Sequence, residues 1–280
     1  MKSVGYYNGS FGALVDMYIP INDRGCYFGD GIYEASYGRN GIVYALDEHI
    51  DRFFRSAGII GLNLTFTPKV LEEIIYSAVA KTELKEFFVY WQATRGTAER
   101  NHSYPDGMAA NLWVIVKERK MRPKGDKMRL ITVEDTRGLW CHIKNLNLLP
   151  NVLASKEAAK KGADEAVFIR DGIVTECAHS NISILKGGKL ITASESRYIL
   201  AGTGRAHLIA LCKKLGIPVE ERPYGKDELL GADEVIVTSA GAPCSGVIEI
   251  DGMAVGGKAS DVLKKLQETL YKDFFEKTGG

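Results

Sequence analysis

The chain has 280 residues, of which 45% are hydrophobic and 25% charged, the proportions of an ordinary globular protein long enough for two domains. Its 36 basic and 35 acidic residues leave a formal net charge of +1, which argues against nucleic acid or an anionic membrane as the main partner. We find no apolar run near the roughly 18–20 residues that a membrane-spanning helix needs, and no apolar signal-peptide core. The five cysteines include no C-x-x-C pair, so we expect a cytoplasmic protein without disulfides or a metal site.

The N-terminal half is predicted to combine strands and helices. Asn40-Gly41 between two apolar stretches predicts a tight hairpin. Apolar residues at helical spacing predict a helix over residues 48–58, with Asp47 as its N-cap, and a second helix over residues 69–81. Stretches rich in aromatic and β-branched residues predict strands over residues 87–94 and 110–116.

A polar run with a proline and a glycine follows the last of these strands and marks the predicted domain boundary. We predict an α/β domain over residues 1–118, a linker over 119–125 and a second α/β domain over 126–280. The second domain is predicted to contain strands over residues 129–133, 141–144, 166–169, 173–176, 182–185, 190–192, 235–238 and 247–250. Its predicted helices start at Pro150, follow Gly204, and cover residues 258–277.

A glycine-rich segment lies near the amino terminus, with three glycines between residues 25 and 31. This density indicates tightly packed backbone or left-handed backbone angles. Tyr33 begins the strand that follows, and its hydroxyl is a candidate ligand-binding group. A half-buried structural tyrosine is the alternative interpretation.

Lys144 and Glu176 are the most informative pair in the chain. Lys144 lies in the apolar stretch C-H-I-K-N-L-N-L-L-P, where an enzyme places a desolvated amine that forms a Schiff base. Glu176 ends a later predicted strand, and a carboxylate there suits the pyridine nitrogen of a pyridoxal cofactor. Taken alone, a solvated surface lysine is the simpler interpretation of Lys144.

Two further features suit a phosphate group. Gly202-Thr203-Gly204 precedes a predicted helix, whose free N–H groups and dipole favour an anion. Arg52 lies one turn into the first predicted helix, and a guanidinium binds phosphate through two parallel hydrogen bonds. The alternatives are a tight turn before a helix and a surface ion pair between Arg52 and Glu48.

Arg100 and His102 follow a predicted strand in the sequence T-R-G-T-A-E-R-N-H. Residues two apart in an extended segment point to the same side, so the two side chains can converge on one carboxylate. A polar loop at the end of a strand is the alternative interpretation.

These motifs occur in one order: D-R-G-x-x-F-G-D-G-x-Y-E, E-H-x-x-R, T-R-G-T, K-x-L-N-L-L and V-T-E-x-x-x-S-N. Together they closely resemble the fold-type-IV pyridoxal-phosphate enzymes, which are D-amino-acid aminotransferases, branched-chain aminotransferases and aminodeoxychorismate lyases. The resemblance covers nearly the whole chain. The R-x-H of Arg100 and His102 and the stretch I-K-N-L-N-L-L-P-N-V-L-A resemble the D-amino-acid aminotransferase branch.

The resemblance implies a two-domain α+β fold with pyridoxal 5'-phosphate at the domain interface. Lys144 would bind this cofactor covalently and then shuttle the proton of the substrate Cα. Glu176 would pair with the pyridine nitrogen, and Leu200 would pack on the ring face. Arg52 would bind the phosphate together with the backbone amides of Thr203 and Gly204.

The resemblance also implies how the substrate is held. Tyr33, Arg100 and His102 would bind the α-carboxylate, with Arg100 and His102 reaching in from the neighbouring subunit of a homodimer. The implied reaction is a ping-pong transamination, in which a D-amino acid such as D-alanine gives its amino group to a 2-oxo acid such as 2-oxoglutarate.

The chain departs from the family pattern at two places. It has Cys177-Ala178-His179 where a family member carries serines, and Gly204 and Ala240 where hydroxyl residues usually help to bind the phosphate. Fewer hydroxyls would weaken cofactor binding, or Thr203 or Ser239 would hold a shifted phosphate. The alternative functions are an aminodeoxychorismate lyase or amine aminotransferase, and a cofactor-binding protein that has lost efficient catalysis.

Overall fold

The computed structural model describes residues 2–280, which group into two units that each contain a sheet. The first unit contains the chain up to Met121 together with Ile143–Asn147 and Phe275–Gly280, and the second contains Arg122–His142 and Leu148–Phe274. The segment proposed as a linker includes the point at which the chain passes from the first unit to the second. Lys144 belongs to the first unit, although the residues on both sides of its short segment belong to the second.

The first unit is built on a six-stranded antiparallel sheet. Its strands are β1 (Ser3–Tyr7), β2 (Ser10–Gly12), β3 (Gly31–Arg39), β4 (Ile42–Val43), β5 (Glu86–Thr94) and β6 (Asn111–Glu118). They lie in the order β2-β1-β6-β5-β3-β4. The turn between β3 and β4 confirms the predicted hairpin, because Asn40 and Gly41 have φ angles of 51° and 80°.

Three α-helices and a 3-10 turn (Leu14–Asp16) complete the first unit, and the helices are α1 (Arg24–Phe28), α2 (Leu46–Ile59) and α3 (Pro68–Ala80). Helices α2 and α3 confirm the two predicted helices. The predicted N-cap of α2 is wrong, because Asp47 is the second residue of the helix and Ala45, with a φ of 52°, precedes it. Leu46 is buried in the core, so the helix begins earlier than the polar pattern indicates.

The core of the first unit lies where α2 and α3 pack on the sheet. The largest fully buried side chains there include Ile32, Phe53, Leu71, Ile75, Phe87 and Trp91. Burying an aliphatic or aromatic side chain of this size contributes about 1.5–3 kcal/mol. This packing holds the start of β3, and with it Tyr33, in a fixed position.

The second unit contains a nine-stranded mixed sheet. Its strands are β7 (Lys127–Glu134), β8 (Glu165–Arg170), β9 (Ile173–Cys177), β10 (Asn181–Lys186), β11 (Lys189–Thr192), β12 (Val219–Glu221), β13 (Glu234–Ser239), β14 (Ala242–Ile250) and β15 (Met253–Ala254). The order is β12-β11-β10-β13-β14-β7-β8-β9, and β15 pairs with β14. Strands β7 and β8 are parallel, whereas β8 and β9 form an antiparallel hairpin that contains the strands predicted over residues 166–169 and 173–176.

Within residues 2–280, the second unit contains α4 (Leu149–Lys160), α5 (Thr203–Lys214), α6 (Lys226–Leu230) and all but the last three residues of α7 (Ser260–Lys277). Helices α4, α5 and α7 confirm the three predicted helices, while α6 was not predicted. Helices α5 and α7 contribute Leu208, Leu211, Leu266 and Leu270 to one apolar cluster with β13 and β14. Within residues 2–280, no helix is both long enough and apolar enough to cross a membrane.

The strand predicted over residues 141–144 is wrong, because the chain turns there. The Nδ2 of Asn145 donates to the carbonyl of Ile143 at 3.1 Å, and the Oδ1 of Asn145 accepts from the N–H of Asn147 at 2.9 Å. An asparagine that bonds to nearby backbone favours a turn over a strand. A single bridge between Ile32 and Asn145 is the only sheet-like pairing that this part of the described chain makes.

Candidate active site

Lys144 lies against the start of β3. The N–H of Tyr33 donates to the carbonyl of Lys144 at 2.9 Å, and the Nζ of Lys144 lies 4.4 Å from the centre of the Tyr33 ring. Gly31 permits this approach, because a Cβ there would lie 2.4 Å from the carbonyl oxygen of Ala93 and 2.8 Å from Leu146. The first unit thus brings together two of the predicted site residues, the lysine amine and the tyrosine ring.

Tyr33 is paired with a second tyrosine on the neighbouring strand. The rings of Tyr33 and Tyr90 stack with their centres 5.6 Å apart, and the hydroxyl of Tyr90 donates to Gln92 at 2.5 Å. Burial and the nearby Tyr33 raise the pKa of Tyr90 well above its usual value. Tyr90 therefore stays protonated at neutral pH and acts as a hydrogen-bond donor beside Tyr33.

Arg52 is buried in α2 and bound by a carboxylate from β3. Its Nε and Nη2 donate to the two oxygens of Glu34 at 2.6 and 2.8 Å, and the Nδ1 of His49 lies 2.8 Å from the same carboxylate. Burial by itself raises the pKa of Glu34, but the charge and hydrogen bonds of Arg52 and His49 outweigh it and hold that pKa far below its usual value. Glu34 thus fixes the direction of the guanidinium, whose predicted role in phosphate binding stays a prediction.

Arg100 and His102 lie on an exposed loop between β5 and β6. The guanidinium carbon of Arg100 lies 5.3 Å from the centre of the Phe28 ring, and the centre of the His102 ring lies 5.2 Å from the same point. The two residues predicted to bind the substrate carboxylate therefore pack around one aromatic side chain. Their contact with a substrate stays a prediction.

In the second unit, Glu176 accepts hydrogen bonds on both carboxylate oxygens. Its Oε1 pairs with a guanidinium nitrogen of Arg137. Its Oε2 accepts from Asn181 at 3.1 Å and from the backbone N–H of Leu200 at 2.9 Å. Glu176 and Leu200, both predicted to contact the cofactor ring, are thus neighbours here.

Arg137 is shared between Glu176 and a second buried carboxylate. It donates to Asp135 through Nε and Nη2, both at 2.9 Å, and to the hydroxyl of Thr175 at 3.1 Å. Arg170 also reaches Asp135, with 3.1 Å between Nη2 and Oδ1. Burial alone raises the pKa of Asp135, but the two arginines reverse this and lower it. Two arginines balance two carboxylates in this cluster.

Helix α5 begins at Thr203, and its N-cap residue is Gly202, which has no side chain to cap the first turn. Gly204 packs on the end of β13, where an added Cβ would lie 3.3 Å from Ser239 backbone and from the Cβ of Thr238. The hydroxyl of Thr238 is buried beside it and has no hydrogen-bond partner within residues 2–280. The amino-terminal end of a helix with a glycine N-cap, beside a buried and unpaired hydroxyl, fits an anion such as the phosphate of pyridoxal phosphate.

His179 contacts a buried carboxylate rather than standing alone in its loop. Its ring pairs with Glu165, whose oxygens also accept from the N–H of His179 at 2.8 Å and from the hydroxyl of Ser180 at 2.9 Å. These bonds tie the loop after β9 to the start of β8. They favour a structural role for His179 over a direct contact with a ligand.

Sequence reasoning missed the residues that support the predicted ones. Arg137 lies 39 positions before Glu176, and Glu34 lies 18 positions before Arg52. The alternation of acidic and basic residues in Asp135-x-Arg137 was the available signal for the first. Glu34 is the last residue of the motif D-R-G-x-x-F-G-D-G-x-Y-E, but nothing in the sequence indicated that it would face Arg52.

The chain belongs to the family described as amino-transferase class IV, whose model matches residues 31–250. It is 38% identical to D-alanine aminotransferase from Bacillus licheniformis over 277 residues, which is 97% of each chain. It is 39% identical to D-alanine aminotransferase from Staphylococcus aureus (strain MSSA476) over 271 residues, covering 95% of this chain and 96% of that one.

The fold is similar to those of solved aminotransferases. A branched-chain aminotransferase from Thermoproteus uzoniensis superposes with a TM-score of 0.88 at 24% identity, covering 98% of this chain and 95% of that one. The branched-chain amino acid aminotransferase from Escherichia coli gives a TM-score of 0.87 at 22% identity, covering 99% and 96%. The predicted α+β architecture of the fold-type-IV enzymes is confirmed.

Proposed function

We propose that this chain is a D-amino-acid aminotransferase that uses pyridoxal 5'-phosphate to move an amino group from a D-amino acid such as D-alanine to a 2-oxo acid such as 2-oxoglutarate. Near-full-length similarity to D-alanine aminotransferases supports the proposal. The structural observation that carries it is the packing of Arg100 and His102 around Phe28, because two cationic or donor side chains on one loop suit a substrate carboxylate.

The cofactor, when bound, supplies an electron sink for the negative charge that develops as the substrate Cα loses its proton. Glu176 would hold the ring nitrogen, and its bonds to Arg137 and Leu200 keep its carboxylate in one orientation. Lys144 would hold the cofactor and then carry the Cα proton. Its amine lies over the Tyr33 ring, which limits the directions from which it can deliver that proton.

The phosphate would be held by Arg52 and by the N–H groups of Thr203 and Gly204. A branched-chain amino acid aminotransferase of similar fold has been solved with pyridoxamine 5'-phosphate, which supports a cofactor of this type. The ion pair with Glu34 limits the rotamers of Arg52, so less entropy is lost on binding an anion.

The test is the absorption spectrum of the cofactor-loaded protein during titration with D-alanine and, separately, with L-alanine. We expect D-alanine alone to convert the pyridoxal band into the pyridoxamine band. Arg100→Ala should raise the KM for D-alanine strongly. A spectrum unchanged by either isomer would reject the proposal, and pyruvate release from aminodeoxychorismate without an amino acceptor would favour a lyase instead.

We further propose a homodimer in which Arg100 and His102 serve the neighbouring subunit. Exposed apolar side chains that suit such an interface include Val15, Tyr18, Ile21, Trp140, Leu149, Val152 and Leu153. The test is to mix Lys144→Ala with Arg100→Ala, each weak or inactive alone, under conditions that exchange subunits. Recovered activity supports residues shared between subunits, whereas a mixture no more active than its parts would place each site within one chain.

Cysteine chemistry supports a cytoplasmic location. All five cysteines are free thiols, as expected in a reducing compartment. The net charge of +1 gives no general attraction to nucleic acid or anionic lipid, so the proposed partners are small amino acids and 2-oxo acids. Fractionation of the source cells would test the location, and recovery of the protein outside the cytoplasmic fraction would contradict it.

A further inference from the structure

The Asp23-Arg24 dipeptide lies beneath the loop that carries Arg100 and His102. Asp23 accepts from the hydroxyl of Thr94 at 2.8 Å and from the side-chain amide of Asn111 at 2.7 Å. Thr94 is the last residue of β5 and Asn111 the first of β6, so one buried carboxylate bonds to both strand ends. Asp23 also caps α1 through the N–H of Gly25 at 2.7 Å.

Arg24 bonds to the middle of the same loop. Its Nη1 donates to the carbonyl of Asn101 at 2.6 Å and its Nη2 to the carbonyl of His102 at 3.3 Å. The Arg24 side chain is only 4% exposed, and its Nε donates to Asp30 at 2.9 Å. The backbone of two loop residues is therefore held by one buried guanidinium.

Phe28, from the same short helix, is the platform on which the loop side chains rest. Its ring centre lies 4.8 Å from the guanidinium of Arg24 and, on the loop side, near both Arg100 and His102. Tyr104 packs further along the loop, 4.1 Å from the guanidinium of Arg95 and 5.3 Å from that of Arg24. The loop thus has backbone and side-chain contacts with α1, although its residues are exposed.

We propose that Arg24 and Phe28 are positioning residues that set the place of Arg100 and His102, and so control affinity for the substrate carboxylate without touching it. The inference rests on the proposed function, because it takes Arg100 and His102 as carboxylate ligands. A loop that is ordered before the substrate binds loses less conformational entropy on binding than a mobile loop would. The contacts of Arg24 and Phe28 with the loop together form a clamp. Loss of this clamp should therefore raise KM and leave kcat nearly unchanged.

Arg24→Gln gives the clearest test of the clamp, because the positive charge that it removes is not needed to balance the charge of Asp30. Asp30 also accepts two hydrogen bonds from Arg95, at 2.9 and 3.0 Å. The variant thus leaves a paired carboxylate and a folded α1. Arg24→Lys, which keeps the charge but cannot reach both carbonyls, should give a smaller effect in the same direction, and it carries the test if Arg24→Gln does not fold.

Arg119→Gln is the matched control. Arg119 also lies over aromatic rings, 5.9 Å from Tyr37 and 5.4 Å from Phe88, but it is exposed and has no contact with the loop among those the structure gives. Phe28→Leu separates the two parts of the clamp, because it removes the ring and keeps the backbone hydrogen bonds. Thermal unfolding of each variant checks that the fold is retained.

Two measurements test the proposal. Amide hydrogen exchange of residues 99–104 in the cofactor-free protein should be about tenfold faster in Arg24→Gln and unchanged in Arg119→Gln. In the loaded enzyme, the KM for D-alanine should rise about tenfold with kcat within about threefold, since tenfold corresponds to the loss of one hydrogen bond to a charged group. Phe28→Leu should raise KM by a smaller factor.

The outcomes separate this inference from the proposed function. If Arg100→Ala raises KM but Arg24→Gln changes neither loop exchange nor KM, the inference alone is overturned. Faster loop exchange with an unchanged KM also overturns it, because the clamp would then be structural only. If Arg100→Ala itself leaves KM unchanged, the assigned carboxylate ligand is wrong and both proposals fail.

Discussion

Two buried ion-pair clusters support residues of the candidate site, and they are built in opposite ways. In the first unit, the candidate ligand is a cation, Arg52, held by the carboxylate of Glu34. In the second, the candidate ligand is a carboxylate, Glu176, held by the cation Arg137. Each predicted residue thus has a supporting partner of opposite charge.

The clusters differ in how completely their charges are balanced. Glu34 is fully buried and faces both Arg52 and His49, so its replacement removes one carboxylate from a single guanidinium. Arg137 stands between two carboxylates, Asp135 and Glu176. Its loss leaves Asp135 paired with Arg170, whereas Glu176 keeps the hydrogen bonds from Asn181 and Leu200 but loses its ion pair with Arg137. The second cluster should therefore be the more sensitive to removal of its supporting residue.

Arg137→Met should have the largest effect. Breaking a buried ion pair by removing one partner costs about 3–5 kcal/mol, and here two buried carboxylates lose a partner at once. We expect a loss of that size in the free energy of unfolding, measured by urea denaturation of the cofactor-free protein. Arg170→Met is the control, because the Arg170 side chain is 20% exposed and should cost less.

If Arg137→Met and Arg170→Met destabilise the protein equally, the comparison between the clusters fails. A double variant, Asp135→Asn with Arg137→Met, sharpens the test. It removes one carboxylate together with the arginine, so it should be more stable than Arg137→Met alone. A double variant less stable than the single one would show that the charge balance is not what holds this cluster.

Glu34→Gln should have an intermediate effect that depends on pH. Glu34 has an ordinary pKa of 4.5, and its folded pKa lies far below this, so its ion pair stabilises the protein fully above about pH 5 and less as the pH falls. We expect Glu34→Gln to cost about 1.5–3 kcal/mol at pH 7, because glutamine keeps one acceptor oxygen for Arg52.

The measurement is the free energy of unfolding of the wild type and Glu34→Gln between pH 7 and pH 3. As the pH falls below about 4.5, the wild type should lose up to about 1.4 kcal/mol per pH unit from this one group. The variant should lack this part of the slope, so the two curves should converge toward low pH. Parallel curves would contradict the assignment of the lowered pKa to Glu34.

The same contrast explains what the sequence could and could not predict. Arg52 and Glu176 were predicted as site residues because each lies in a motif that was interpreted together with others. Helices α2 and α5 and the hairpins follow from local periodicity and turn residues. Glu34 and Arg137 were not found, because a supporting partner is defined by contacts between distant parts of the chain. No local pattern encodes such a contact.

The wrong predictions have local physical reasons. The strand predicted over residues 141–144 was read from apolar content, but the side chain of Asn145 bonds to the backbone of Ile143 and Asn147 and turns the chain. Asp47 was interpreted as an N-cap from its residue type, yet Leu46 is buried and α2 begins there, one residue before Asp47. In both places a contact outside the periodic pattern decided the outcome.

Thr238→Val should have the smallest effect on stability and the most specific effect on binding. Unlike the charges of the two clusters, the buried hydroxyl of Thr238 has no hydrogen-bond partner within residues 2–280. Replacing an unpaired buried hydroxyl with a methyl group of similar shape is neutral or stabilising, by up to about 1 kcal/mol. The cofactor-free variant should therefore unfold at the same temperature as the wild type or a higher one.

Cofactor binding should distinguish this hydroxyl from an inert one. If Thr238 donates to the phosphate at the start of α5, the variant should bind pyridoxal 5'-phosphate about tenfold more weakly, while its affinity for pyridoxal, which lacks the phosphate, stays unchanged. Equal losses for both ligands would mean that the substitution disturbs the ring site. No loss for either would mean that the hydroxyl of Thr238 does not contribute to phosphate binding and does not replace the hydroxyls absent at Gly204 and Ala240.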